Sequence, residues 1–227
     1  MLTTERAYQN GWGLRPIHWL LAGILVFGAG LLGCRYSAGP IPLGTTNDSR
    51  KVQSTSAERW AEPLNVPGLP NLHKVSDSLY RSAQPTAEGW QQLQKLGVKT
   101  VINLRSTRND PEALKGANLA GYEIPMSAWQ PPTLGEIIQF LRIVTDSSRT
   151  PALVHCYRGA DRTGVMCAVY RIAVQGWSKD EAIAEMTRGG FGFYSGWQNL
   201  VQYIRDLNVE QIHLQIAPAV MPVRAAG

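Results

Sequence analysis

Pro151-Ala152-Leu153-Val154-His155-Cys156-Tyr157-Arg158-Gly159-Ala160-Asp161-Arg162-Thr163-Gly164 joins an apolar run to the start of a helix, and the fold is read outward from it. Residues 151–154 read as a short buried strand, and residues 163–174 as a helix apolar almost all round, hence a core helix. A loop between such a strand and helix turns its backbone N–H groups inward, and the helix dipole adds positive potential at the same place. One cysteine and one arginine stand six positions apart in that loop. The result is an oxyanion site with a thiol at its floor.

Each residue type suits that chemistry. Cys156 is expected to be held as a thiolate by the helix N-terminus and Arg162. Arg162 presents a planar fork matching two oxygens of a phosphate. Gly159 permits a tight turn and close approach of the backbone to a ligand. Thr163 is placed to donate its hydroxyl to the sulfur and help the thiol leave. Gly164 lets the helix pack closely behind the loop. His155 is better suited to orient the loop than to act as a base. Tyr157, Arg158, Gly159, Ala160 and Arg162 are the expected substrate contacts.

The segment resembles the C-x5-R phosphate loop of the cysteine-based protein tyrosine phosphatases, in the H-C-x-x-G-x-x-R-T-G form of the dual-specificity branch. Ser78-Leu79-Tyr80-Arg81-Ser82-Ala83-Gln84-Pro85, Thr100-Val101-Ile102-Asn103-Leu104-Arg105 and Gln175-Gly176-Trp177-Ser178 extend the likeness to bacterial dual-specificity-like phosphatases. They also resemble atypical phosphatases of plants and fungi that act on phosphotyrosine or inositol pyrophosphates. The resemblance implies a phosphomonoester hydrolase that works through a phosphocysteine and needs no cofactor or metal. Its implied partner is a phosphorylated protein or a small phosphomonoester. An inositol-phosphate or phosphoinositide phosphatase with the same mechanism is one alternative, and a phosphate-binding pseudophosphatase is another.

The family commonly draws its general acid from an aspartate about thirty residues before the cysteine. Here that stretch is Pro125-Met126-Ser127-Ala128-Trp129-Gln130-Pro131-Pro132, which has no carboxylate. Asp161, inside the loop, is the first substitute, Asp110 the second and Glu123 the third. Asp110 has a competing role as a helix N-cap, and Asp161 as a residue favouring its helix N-terminus. Arg81 and Arg105 are expected at the rim. Phe193 and Tyr194, in a Gly-rich stretch better explained by helix capping, are candidates for a pocket wall.

A chain of 227 residues with 44% hydrophobic content can bury one sizeable core. The net charge of +5 suits an anionic substrate or a membrane surface, but no basic stripe with interleaved aromatics points to nucleic acid. Three cysteines are too few for a disulfide scaffold, and four scattered histidines lack metal-ligand spacing.

Residues 17–34 carry no Asp, Glu, Lys or Arg, with Arg6 and Arg15 before them and Arg35 after. Such a run is at the short end of a membrane span and also has the layout of a secretory signal. Leu31-Leu32-Gly33-Cys34 resembles a bacterial lipobox, which would lipidate Cys34. Residues 1–34 are therefore expected to be a signal or membrane anchor, placing the catalytic domain outside the cytoplasm at the bacterial envelope. Residues 35–65 read as a flexible linker, residues 66–208 as the phosphatase domain and residues 209–227 as a loose tail. A short strand over residues 212–216 is the one element expected in that tail.

Within the domain, residues 72–75 and 78–81 predict a hairpin. Thr86 opens a helix that ends at Gly97, residues 101–104 form a buried strand, and Asp110-Pro111 opens a second helix. A strand over 122–125, an amphipathic helix over 134–144, a capping box at Ser178–Glu181 and a last helix over 197–207 complete the pattern. Strands alternating with helices give an α/β class, with a mainly parallel sheet flanked by helices and a hydrophobic N-terminal segment outside it.

Overall fold

A computed structural model describes residues 60–107 and 110–217, all within the second of two compact units, Lys51–Gly227. The anchor, Cys34 and most of the linker lie outside the described residues. Among the described residues no helix is long and apolar enough to cross a membrane.

Six strands form one mixed sheet: β1 (Glu62–Pro63), β2 (His73–Lys74), β3 (Leu79–Ser82), β4 (Thr100–Asn103), β5 (Ala120–Glu123) and β6 (Ala152–His155). Their spatial order is β1-β2-β3-β6-β4-β5. The last four in that order run parallel, while β1–β2 and β2–β3 pair antiparallel, so the expected hairpin is β2–β3 and β1 forms the edge beyond it. β6 is central. Its residue His155 sits in register between Ser82 and Asn103.

All four residues of β6 are buried, as a strand covered on both faces requires. Alternation assigns them to two cores. Ala152 and Val154 face a core shared with α3 (Leu134–Val144), α4 (Asp161–Ala173), α5 (Lys179–Arg188), α6 (Gln198–Asp206) and α7 (Val209–Ile216). Leu153 and Val101 face a second core with Trp90 and Leu93 of α1 (Ala87–Lys95) and Leu114 of α2 (Pro111–Gly116). Helices therefore cover both faces. Every residue of α4 from Thr163 to Ile172 is buried, which matches its apolar surface in sequence.

Capping holds the helices in place. Thr133 with Glu136 and Ser178 with Glu181 form complete capping boxes. Gly97, at φ 74°, follows the C-cap of α1.

At the two ends of the domain the structure differs from the sequence expectation. Residues 209–216 form helix α7 rather than a strand or a loose tail: Asn208 accepts a hydrogen bond from the Gln211 N–H, and Ile212 is 1% exposed against the main core. Ile212, Leu214 and Ile216 alternate like a strand, but Val209, Ile212 and Ile216 also have helical spacing, and the exposure of Leu214 decides for the helix. At the other end, β1 lies within the expected linker and pairs with β2. The Ala61 N–H also donates to the buried Glu185 carboxylate, so the chain is docked from Trp60 onward.

Candidate active site

The loop from β6 to α4 emerges at the carboxyl edge of the central strand, where a ligand site in such sheets forms. Cys156 is a free thiol, 3% exposed. Three successive loop carbonyls are each held from outside. Tyr157 accepts from the Gln84 N–H (3.2 Å), Arg158 from Asn71 Nδ2 (3.1 Å) and Gly159 from Arg81 Nη2 (2.9 Å). In a planar peptide the carbonyl and the next N–H point oppositely, so pinning these carbonyls outward turns the N–H groups of Arg158, Gly159 and Ala160 inward. The cradle is thus built by donors beneath the loop.

Gly159 is required there. Its φ is 68°, and a Cβ would lie 2.5 Å from the Ser82 backbone carbonyl and the Ala83 nitrogen. Gly159→Ala is expected to cost about 1–2 kcal/mol through the left-handed backbone alone, and more through the collision. Thermal denaturation together with kcat/KM checks this: both should fall, since the loop cannot keep its place on β3.

Arg162 is the second residue of α4, and its Nη1 donates to the Leu104 carbonyl at 3.3 Å. Leu104 in turn donates its N–H to the His155 carbonyl at 2.9 Å, tying the guanidinium to the base of the loop. Ala160 is the N-cap of α4, and Gly164 lets α4 approach α5, where a Cβ would stand 3.2 Å from Met186. Thr163 is fully buried and its hydroxyl has no hydrogen-bond partner, so the expected bond to the sulfur is not formed in this structure. Tyr157 projects outward, 66% exposed, with the Arg105 guanidinium 5.6 Å from its ring. Arg158 is exposed beside it.

Arg81 corrects an expectation. It does not line the rim but lies under the loop, 1% exposed, with its guanidinium 3.6 Å above the Phe191 ring. Burial pushes its pKa down from the ordinary arginine value. The remaining thiol of the body, Cys167, is buried in α4, and burial pushes it up to about 11, so it stays protonated at neutral pH.

Asp110 is the N-cap residue of α2 by position, but its side chain makes no capping bond. It is 3% exposed, accepts from Gln84 Nε2 (2.8 Å), and its Oδ2 lies 3.2 Å from His155 Nε2. Arg105 Nη1 donates to Gln84 Oε1 (2.7 Å), completing a polar network under the loop. Burial raises the Asp110 pKa, but the contacts with His155 and Gln84 and the charge of Arg105 outweigh it, and the carboxyl is held below its usual range. A depressed folded-state pKa stabilises the fold above the unfolded value of about 4 and loses that contribution as pH falls through the folded value. The wild type is therefore expected to lose Tm more steeply than Asp110→Asn on acidification below about pH 4.

Asp161, in the first turn of α4, accepts the Tyr194 N–H on Oδ1 at 2.9 Å. This bond ties the loop after α5 to the phosphate loop. Tyr194 is 58% exposed, whereas Phe193 packs against the core. Glu123 is half-buried and shares a cavity of about 450 Å³ with Asp110, Lys115 and Tyr122. A larger cavity, about 920 Å³, is lined by Trp60, Arg171 and Trp177 and includes no residue of the phosphate loop. Asn71, at φ 55°, gave no sequence signal, and Gln84 had only its place in a matching stretch.

A family model described as "DSP-PTPase phosphatase fused to NAD+ Kinase" matches residues 69–200. The dual specificity protein phosphatase TpbA of Pseudomonas aeruginosa strain UCBPP-PA14 is 36% identical over 205 residues, covering 89% of this chain and 87% of its own. The crystal structure of P. aeruginosa TpbA superposes with a TM-score of 0.62 at 36% identity, covering 70% of this chain and 98% of that one. The core catalytic domain of the PP-IP phosphatase SIW14 from Saccharomyces cerevisiae gives a TM-score of 0.58 at 26% identity, covering 65% of this chain and 92% of that one. With Cys156 at the floor of a loop whose carbonyls are turned away from it and Arg162 tied to the base of that loop, the chain belongs to the dual-specificity branch of the cysteine-dependent protein tyrosine phosphatases and is a phosphatase of that type.

Proposed function

We propose that this phosphatase hydrolyses phosphotyrosine-type monoesters through a phosphocysteine at Cys156, at the bacterial envelope. The observation that carries the mechanism is the set of outward-held carbonyls at Tyr157, Arg158 and Gly159, which turns the three following N–H groups inward. Those N–H groups and the Arg162 fork hold the nonbridging oxygens and meet the charge that builds up on them. The Cys156 thiolate attacks phosphorus, an S–P bond forms and the P–O bond breaks. Asp161 supplies the proton to the departing oxygen, and its carboxylate then accepts a proton from the attacking water. Water releases inorganic phosphate and restores the thiolate.

Phosphotyrosine is favoured as substrate because a structure of TpbA holds pTyr, and TpbA aligns with nearly nine-tenths of this chain. The inositol reading is supported by relatives named inositol diphosphatases, such as DSP5 of Arabidopsis thaliana, at 30% identity over 51% of this chain. Assays of the full chain with p-nitrophenyl phosphate, phosphotyrosine peptides and inositol phosphates decide between them. Peptide turnover exceeding inositol phosphate turnover is the expected result, and the reverse overturns the substrate assignment.

The location rests on residues 17–34, which are free of charged side chains. Fractionation should find the full chain with membranes, and recovery wholly in the soluble fraction would contradict this. Palmitate labelling lost in Cys34→Ala would identify a lipoprotein, and labelling absent from the wild type a plain anchor.

A further inference from the structure

The stretch where the family commonly keeps its acid carries Trp129 instead, and Trp129 stands 67% exposed. Its ring meets Trp197 edge-on at 5.8 Å between centroids, and Trp197 meets Tyr194 in the same way at 5.8 Å. Tyr194 is fastened by its N–H to Asp161, the neighbour of Arg162. A row of three rings therefore begins one hydrogen bond from the phosphate-binding loop.

The row is fixed before any ligand arrives. Ser127 Oγ accepts the N–H groups of both Trp129 and Gln130, closing a turn at the tip of the loop. Asn199 Nδ2, on α6, donates to the Trp129 carbonyl at 2.9 Å, and the Trp197 N–H donates to the Tyr194 carbonyl at 3.0 Å. The exposed rings of Trp129 and Tyr194, held in this way on either side of the half-buried Trp197, give a binding surface with little ordering left to do. Trp129, Tyr157 and Tyr194 are three of the five large apolar side chains exposed among the described residues, and all three belong to the phosphate loop or to the loops beside it. A cluster of such residues around one site marks a recognition surface rather than scattered surface hydrophobes.

We infer that Trp129, Trp197 and Tyr194 form a subsite for an aromatic or apolar side chain next to the phosphotyrosine of a peptide substrate, which rests on the phosphotyrosine reading above. Two steps of 5.8 Å carry the row beyond the width of one phenyl ring. An extended peptide advances about 3.3 Å per residue, so the two 5.8 Å steps of the row match the span of about three to four residues beside the phosphotyrosine. Ring-on-ring contact then selects the neighbour, with offset or edge-to-face geometry available on every exposed face.

The test compares two phosphotyrosine peptides that differ only in one flanking residue, phenylalanine or glycine, scanned on either side of the phosphotyrosine. The full chain is expected to favour a phenylalanine peptide about 10-fold or more in kcat/KM. In Trp197→Ala the ratio should collapse towards one, and in Trp197→Phe it should be largely kept. A stack that merely supports the fold would lower both peptides together and leave the ratio intact, which would overturn the inference. So would a wild type that ignores the flanking residue at every position, or a Trp197→Ala variant that loses inositol phosphate turnover but keeps peptide selectivity. Absence of all phosphotyrosine turnover in the wild type would instead bring down the substrate reading itself.

Discussion

Replacing Cys156 by serine is expected to abolish turnover and leave phosphate binding in place. The hydroxyl is a far weaker nucleophile than a thiolate, and loss of the covalent step should cost on the order of 10⁴- to 10⁶-fold in kcat, the scale found when other hydrolases lose their nucleophile. Phosphate affinity should survive because the cradle does not depend on the sulfur. Its N–H groups are aimed by Gln84, Asn71 and Arg81 acting on loop carbonyls, and Arg162 is held by Leu104. Vanadate should inhibit the wild type and still bind the variant. Undiminished hydrolysis by Cys156→Ser would remove the nucleophile from the mechanism.

Asp161→Asn is expected to slow the enzyme according to the leaving group. General acid catalysis is worth about 10²- to 10⁴-fold, so phenyl phosphate should suffer by that order and p-nitrophenyl phosphate far less. The substitution is well suited to the question. Asparagine retains an oxygen that can accept the Tyr194 N–H, so the tie between the two loops need not be lost with the charge. Removing a negative charge beside the loop should also tighten phosphate binding. Equal slowing of both substrates would make Asp161 an anchor for the Tyr194 loop and nothing more. A leaving-group dependence in Asp110→Asn would move the acid to that position. The structure weighs against it, because Asp110 is buried, engaged by Gln84 and His155, and held in its ionised form.

The parts legible in sequence are those set by local pattern. The run Pro151 to Val154 reads as a covered strand and forms one, shifted by one residue to Ala152–His155, and the apolar surface of α4 had to be core. The two ends of Ser178–Glu181 named their own capping box. The cysteine–arginine spacing located the cradle because a strand, a loop and a helix N-terminus fix it almost by themselves.

What the sequence could not yield depends on residues far apart in the chain. Asn71 meets Arg158 across 87 positions and Arg81 meets Gly159 across 78, and no periodicity encodes either contact. Arg81 looked like a rim residue because arginine is usually exposed; the Phe191 face and the Gly159 carbonyl make its burial tolerable. Asp110 before Pro111 has the form of an N-cap, yet His155 and Gln84 take its carboxylate. The ring row has the same origin, since Trp129 and Trp197 come from loops 68 residues apart and meet only in the fold.

The central claim is that phosphate passes through Cys156, and rapid acid quench during turnover tests it most directly. Mass analysis of the quenched protein should find one phosphoryl group on the peptide carrying Cys156, absent from Cys156→Ser and gone once substrate is exhausted. Turnover at the wild-type rate with no phosphoryl group on that peptide at any quench time would contradict the account.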